Sequence, residues 1–431
     1  MRPGGLSVFK PFAPGRWLVW GGFALLLIAA PLVFTSGLSL NLLSQMGIAI
    51  VACLSYNMLL GQGGMLSFGH AVYSGLGAFV AIHALDAAAG GLGLPVSVVP
   101  LVGALAGMCF AALLGYATTR ISGTPFAMIT LGLGELVFAA SLMIPEFFGG
   151  EAGVSANRVV GKPVAGVSFG PQIEVYYLIA LYTFVATAAM FAFTRTPLGR
   201  LLNAVRDNPE RVGFIGYDAQ RVRYTVFVIA GFFAGLAGGL YAINFEIVTA
   251  EVVGAGRSGA YLLFTFLGGA GFFFGPIVGA VLMVLAFVLW SEFTRAWLLY
   301  LGLVFIFMVM YAPGGLASLV MMNLRLAAQG RLRTLCIAYF ALGASTLVLL
   351  GGAGALVEML YHRQLGAELD ATLAFLGLRL DVRRPGDWAG AALVMLAGLL
   401  AFELARREFL RRWARVQREL DGPARSGALR A

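Results

Sequence analysis

The residues able to do chemistry are few, and the first group lies in GQGGMLSFGHA, residues 61–71. Gln62, Ser67 and His70 could hydrogen-bond a polar solute or hand on a proton. Gly61, Gly63, Gly64 and Gly69 around them would let the backbone leave a helix, which an apolar medium tolerates only where the chain is buried in protein or lines a cavity. The same glycines would equally let neighbouring helices pack closely, with His70 and Gln62 satisfied by a nearby carbonyl or hydroxyl. A second candidate is Glu135, the one carboxylate well inside an apolar run, TPFAMITLGLGELVFAASLMI. Such an acid is either a proton site or a capped structural acid beside a helix break.

Catalytic chemistry finds no support. Cys53, Cys109 and Cys336 all fall inside apolar runs, and their spacing matches neither a metal site nor a disulfide framework, so they read as small core residues. No GxxxxGK[ST] phosphate loop occurs; the Gly161–Lys162 pair is followed by Pro163. ATP, if it is used, is hydrolysed on another chain, and no cofactor or metal is expected on this one.

The elements that must position these residues are set by composition. Of 431 residues 60% are hydrophobic and 11% charged, with a mean hydropathy of +0.89, too little polar residue to cover a soluble domain. From Trp17 to Ile82 there is no Asp, Glu, Lys or Arg, room for roughly three spans of about 20 residues each. The apolar runs are unbroken and show no period of two, which excludes an outer-membrane barrel. The expectation is an all-α polytopic membrane helix bundle of about ten to twelve spans, with short or broken helices near the glycine-rich segments. Spans are expected near 17–36, 38–60, 64–85, 95–117, 124–143, 173–194, 224–245, 272–290, 298–319, 334–357 and 388–404, with a shorter run at 259–270. The first, preceded by Arg2, Lys10 and Arg16, shows no clear cleavage site and reads as an uncleaved span.

The net charge of +9 comes from arginines in the gaps between apolar runs, the placement of the positive-inside rule rather than of a nucleic-acid surface. With both termini inside, the inner gaps hold Arg120, the stretch Arg195–Arg223, Arg325, Arg331 and Arg333, and the tail from Arg406. The outer gaps hold Asp86, Glu146, Glu151, Arg158, Lys162 and Glu174, and a later mixed set that includes Glu368 and Asp370. A second glycine-rich break is expected at GGAGFFFGPIVGA, residues 268–280. The tail FELARREFLRRWARVQREL places Phe409, Trp413, Val416 and Leu420 at helical spacing, which fits a helix lying on the inner leaflet or a solvated helical tail. The most informative polar segment is TRTPLGRLLNAVRDNPERVGFIGYDAQRVRY, residues 194–224. Its apolar patches and Asn208–Pro209 pair predict helix, turn, helix, with a face that needs something to dock against or a self-packed loop.

Together LLGQGGMLSFGHAVYSGLGAF, TPFAMITLGLGELV, TPLGRLLNAVRDNPERVGFIGYDAQRVRYTVFVIAGFFAGLAGGLYA, GGAGFFFGPIVGA and APGGLASL resemble, in that order, the LivM-type permease subunits of branched-chain amino acid ABC importers. The likeness covers about residues 17–320. It implies a bacterial inner-membrane subunit importing branched-chain amino acids or related small polar or carboxylate solutes by alternating access. It further implies a second permease subunit, two cytoplasmic ATP-binding subunits that carry ATP and Mg, and a periplasmic substrate-binding protein. By matching, Gly199, Arg200, Ala204, Arg206, Asp207, Asn208 and Gly216 would couple to the ATPase. Gly61, Gln62, Gly63, Ser67, Gly69, His70 and Glu135 would lie along the translocation path. Members of this type stop soon after the segment matching APGGLASL or run on into a fused ATPase. Here residues 1–325 would form the core and 326–431 a two-span extension. The rival reading is a proton- or sodium-coupled carrier working through Glu135 and His70.

Overall fold

The computed structural model describes residues 14–159, 168–294, 296–312, 314–328, 332–365, 372–375 and 378–428. Arg2, Lys10, Gly161, Lys162, Pro163, Arg331, Glu368 and Asp370 lie outside these residues, as do the side chains of Arg16, Arg325, Arg333, Val416 and Leu420. The chain divides into two compact units, Met1–Phe287 with Met308–Ala317, and Val288–Phe307 with Ser318–Ala431.

The first unit is built from α1 (Pro14–Val33), α2 (Gly37–Asn57), α3 (His70–Ala87), α4 (Val99–Thr118), α5 (Thr124–Met143), the single turn α6 (Pro145–Phe148) and α7 (Gln172–Arg195). It continues through two short helices, α8 (Pro197–Asp207) and α9 (Pro209–Phe214), to α10 (Ala219–Phe245), α11 (Ala255–Gly268) and α12 (Gly275–Leu285). Two-residue strands β1 (Val154–Ser155) and β2 (Ile247–Val248) pair antiparallel. Helix α10 is the hub, packed on α2, α3 and α4. It earns that place through glycine. A Cβ on Gly235 would stand 2.8 Å from the Cα of Gly107 in α4, and one on Gly77 of α3 would stand 2.6 Å from the Cα of Gly235. The three helices therefore meet backbone to backbone, the arrangement small residues permit in lipid, where no hydrophobic force drives helices together.

The second unit holds α13 (Ser291–Phe293), most of α14 (Trp297–Tyr311) and α15 (Gly315–Ala328), then α16 (Leu332–Leu365) and α17 (Pro385–Ala428). Strands β3 (Thr372–Phe375) and β4 (Leu378–Asp381) form an antiparallel hairpin between the last two helices. Helices α16 and α17 pack along each other. Inside the unit Glu358 accepts hydrogen bonds from the hydroxyls of Thr294 and Tyr300, so this carboxylate is capped.

Among the described residues eight helices are long and apolar enough to cross a membrane, and α14 with α15 forms a further pair bent by 55°. Two shorter apolar helices, Leu18–Val33 and Gly275–Trp290, join them, so the chain is the expected all-α polytopic bundle. Two of the expected spans and the cysteines differ from expectation. The span expected over 64–85 starts as helix only at His70, and the one over 298–319 turns at Gly315, whose φ of +68° suits glycine. Cys53 is buried, but Cys109 and Cys336 are exposed on spans, so an apolar run does not by itself make a core residue in a bundle whose helices carry apolar residues on their exposed faces too. The arginine-rich tail is helical and continuous with the last span, α17 running for 44 residues. At about 1.5 Å per residue that is roughly 66 Å, twice the ~30 Å hydrocarbon core. No proline interrupts it between Pro385 and Trp413, and Arg406, Arg407 and Arg412 pair with Glu403 and Glu408 along its own surface. Phe409 of the apolar stripe meets Tyr339 of α16 at 4.9 Å between ring centroids, so that contact is with protein.

Candidate functional site

Helix α2 ends in a wide π turn over Met58–Gln62, and the chain then runs non-helical to His70. Gly64, with φ +64°, makes the exit. Each backbone group that leaves the helix needs a partner at this depth. Met65 N–H donates to Leu59 O at 2.9 Å, Phe68 N–H to Thr130 Oγ1 of α5 at 3.1 Å, and Ala71 N–H to Ser258 Oγ of α11 at 3.0 Å. The Tyr56 hydroxyl donates to Ser67 O at 3.0 Å. The break is thus tied into α2, α5 and α11 at once. Gly69 sits hard against the backbone of Thr130, leaving no space for a side chain.

The polar side chains of the break differ in circumstance. His70 is fully buried, with Nε2 2.9 Å from Ser55 Oγ. The Ser55 hydroxyl donates to Ala52 O at 2.8 Å, so it accepts from His70 and places the ring proton on Nε2. Nδ1 of His70 and Oγ of Ser67 are buried without a hydrogen-bond partner among the described residues. Gln62 is half-buried, and Gly63 packs against Leu202 of α8.

That contact brings the two sequence-derived groups together. Thr196 caps α8 by accepting from Gly199 N–H at 3.2 Å, and Asn208 caps α9 by accepting from Arg211 N–H at 3.0 Å. Leu202, Val205 and Val212 are buried, which seats the helix pair on the bundle. Gly199 is buried against the end of α7, and Gly216 makes a turn at φ +88°. Arg200, Ala204 and Asp207 are exposed, as are Phe214, Ile215 and Tyr217, with Phe214 at 88%. Arg206 alone reaches back: its Nη1 donates to Gly61 O at 2.6 Å while Nη2 pairs with Asp207 at 3.0 Å. Gly61 also abuts Ala270, in the turn between α11 and α12. The second glycine-rich break therefore converges on the same end of the bundle.

Glu135 lines another place. A cavity of about 490 Å3 lies among α5, α10, α11 and the loop from Thr249, with Glu135, Phe138, Tyr241, Glu251, Arg257 and Phe287 in its wall. Its volume is that of an ordinary small-molecule site. Arg257 also lines a second cavity of about 100 Å3 with Gln45, Ile48 and Ala49 of α2. His70 lines none of the described cavities, whereas the break borders one of about 340 Å3 through Gly64 and Phe68. Sequence reasoning passed over Arg257, which stands three residues into α11 in a segment that reads as a loop before a short apolar run. An arginine at the mouth of an apolar helix was the available signal. No cluster of metal-ligating side chains occurs among the described residues.

The family described as branched-chain amino acid transport system / permease component matches residues 38–313, the stretch that holds both breaks, the α8–α9 pair and the large cavity. The chain belongs to that family. This permease is 30% identical over 333 residues to the high-affinity branched-chain amino acid transport system permease protein LivM of Salmonella typhimurium, covering 70% of the chain and 76% of the relative. The LivM of Escherichia coli is 29% identical over 336 residues, covering 71% and 76%. The guanosine ABC transporter permease protein NupQ of Bacillus subtilis is 30% identical over a shorter 135 residues, 29% of the chain and 40% of the relative. No solved structure matches the chain. The permease is a transport subunit rather than an enzyme, and the matched region stops before α15, α16 and α17.

Proposed function

We propose that this permease is one membrane subunit of an ATP-driven importer in the bacterial inner membrane, with both termini inside. Its solutes are branched-chain amino acids or related small polar or carboxylate solutes, moved by alternating access. A second permease subunit, two cytoplasmic ATP-binding subunits and a periplasmic binding protein complete the assembly, with ATP and Mg held on the ATP-binding subunits. The observation that carries this reading is the link from Arg206 to Gly61 O. It joins an arginine-rich helix pair with an exposed apolar tip to the glycine-rich break where α2 hands over to α3. A push or pull on α8 from an ATPase would be felt at the break directly. The exposed Phe214, Ile215 and Tyr217 are the apolar face such a partner would cover.

The test is affinity purification of the chain from its native membrane, with mass spectrometry of the proteins retained. Wild type is compared with Phe214→Asp combined with Ile215→Asp. An ATP-binding-cassette subunit and a second permease retained by wild type, with the ATPase lost from the variant, is the expected result. Wild type recovered alone or only with copies of itself refutes the assembly.

A further inference from the structure

Arg257 is a half-buried cation that forms no ion pair among the described residues. The second cavity it lines includes Gln45, eight residues after Gly37 and so roughly 12 Å along α2. A charge among apolar spans is costly and its partner matters. Arg257 Nε donates to the Tyr261 hydroxyl at 3.3 Å, and the guanidinium stands 5.3 Å and 5.7 Å from the ring centroids of Tyr241 and Tyr261. None of the ion pairs among the described residues includes it. Two rings and one hydroxyl orient the side chain through Nε and the guanidinium faces. The fork of Nη donors, the part that grips a carboxylate in two parallel bonds, has no protein acceptor among the described residues.

The wall of the 490 Å3 cavity completes a pattern. Arg257 offers a positive fork, Glu135 and Glu251 offer negative charge, and Phe138 and Phe287 offer apolar surface. A carboxylate, a positive amine and a small apolar side chain would find complementary partners there. We propose that Arg257 is the anchor for the carboxylate of the transported solute, so that this permease carries its own filter for carboxylate-bearing solutes. The inference rests on the reading of the chain as a solute permease given above. It disfavours uncharged solutes such as a nucleoside, which would leave the Nη fork without a charged partner.

The cavity supplies its own reporter. Gly256 lines it, is exposed, and a Cβ built there meets nothing within 4 Å. Gly256→Cys is placed in a full chain whose exposed Cys109 and Cys336 are changed to Ser, with Cys53 buried and left alone. The protein is held in nanodiscs of phosphatidylcholine, and alkylation of the new thiol by a small neutral reagent is timed with three probes. L-Leucine and 4-methylpentanoate carry the carboxylate; leucinamide lacks it. Both carboxylates slow alkylation and leucinamide does not. Adding Arg257→Gln raises the concentration needed for protection roughly ten- to a hundredfold, the loss expected for a charge-assisted pair. Arg257→Lys keeps part of the protection.

Equal protection by leucinamide overturns the proposal, as does unchanged protection in Arg257→Gln, or no protection by either carboxylate. Slowing by phosphatidylglycerol in the disc, with none by leucine, would give the cation to a lipid headgroup and also overturns it. Retention of the ATPase by the Arg257→Gln variant is measured alongside. It reports folding and tests the assembly separately, so failure of the filter leaves the importer reading standing.

Discussion

Changing Arg206 to Ala should uncouple the permease without detaching its ATPase. The guanidinium makes one bond of consequence to the rest of the bundle, Nη1 to Gly61 O at 2.6 Å. Hydrogen bonds from a charged donor contribute about 1.5–3 kcal/mol. The Arg206 side chain is 41% exposed, and solvent screening brings the figure down to about 1 kcal/mol. A coupling free energy of that size is roughly a fivefold change in the balance between states that move together and states that do not. In proteoliposomes carrying the complete transporter, solute moved per ATP hydrolysed should fall to about one fifth of wild type. ATPase turnover and subunit stoichiometry should stay unchanged. Arg206→Lys, which keeps the charge and one donor but not the fork, should fall between. An unchanged transport ratio in Arg206→Ala, with the ATPase still bound, refutes the strut. Loss of the ATPase would instead make Arg206 part of the docking face.

Gly235→Ala should lower the thermal midpoint of the detergent-solubilised chain and cost about 1–3 kcal/mol or more, because its Cβ must displace the backbone of α4. Gly132→Ala, where a Cβ meets nothing within 4 Å, should leave the midpoint in place, and equal effects would contradict the glycine seam. Asn208→Ala should cost about 1 kcal/mol by removing the cap of α9, read as faster proteolysis within residues 208–216; rescue by Asp or Ser checks the cause. Ser55→Ala should destabilise by about 1–3 kcal/mol because it strands the buried Nε2–H of His70. Ser55→Ala combined with His70→Leu should recover part of that loss in the same unfolding assay.

The helices were legible in the sequence because a membrane span must be long, apolar and free of charge. The run at 124–143 therefore reappears as α5 with the same ends. The α8–α9 pair was legible too, since Thr196–Pro197 and Asn208–Pro209 each join a capping side chain to a proline suited to the first helical turn. What the sequence concealed were the contacts across distance. Nothing in the spacing of Arg206 and Gly61, separated by 145 positions, says that one donates to the other. Arg257 offered only its place at the mouth of an apolar helix, and the cavity, assembled from four separate stretches of chain, is what sets it apart from a loop arginine. The tail left two readings open because helical periodicity is the same whether a helix lies along a membrane or is solvated.

The glycine seam also fixes what can move. Helices separated by side chains can slide as those side chains change rotamer, but α3, α4 and α10 have no such layer where Gly77, Gly107 and Gly235 meet. They must travel as one block. Compliance is then left to the places where helical hydrogen bonding is already interrupted, namely the π turn at Met58–Gln62, the stretch to His70, and the turns at Gly269 and Gly315. All four places lie together, since Gly61 abuts Ala270 and Gly315 stands against Gly269, beside the helix pair that Arg206 fastens. A machine with a stiff middle and soft joints gathered at one end has its stroke set by the joints. Under the alternating access proposed above, stiffening one of them, by proline or a crosslink, would shorten the stroke.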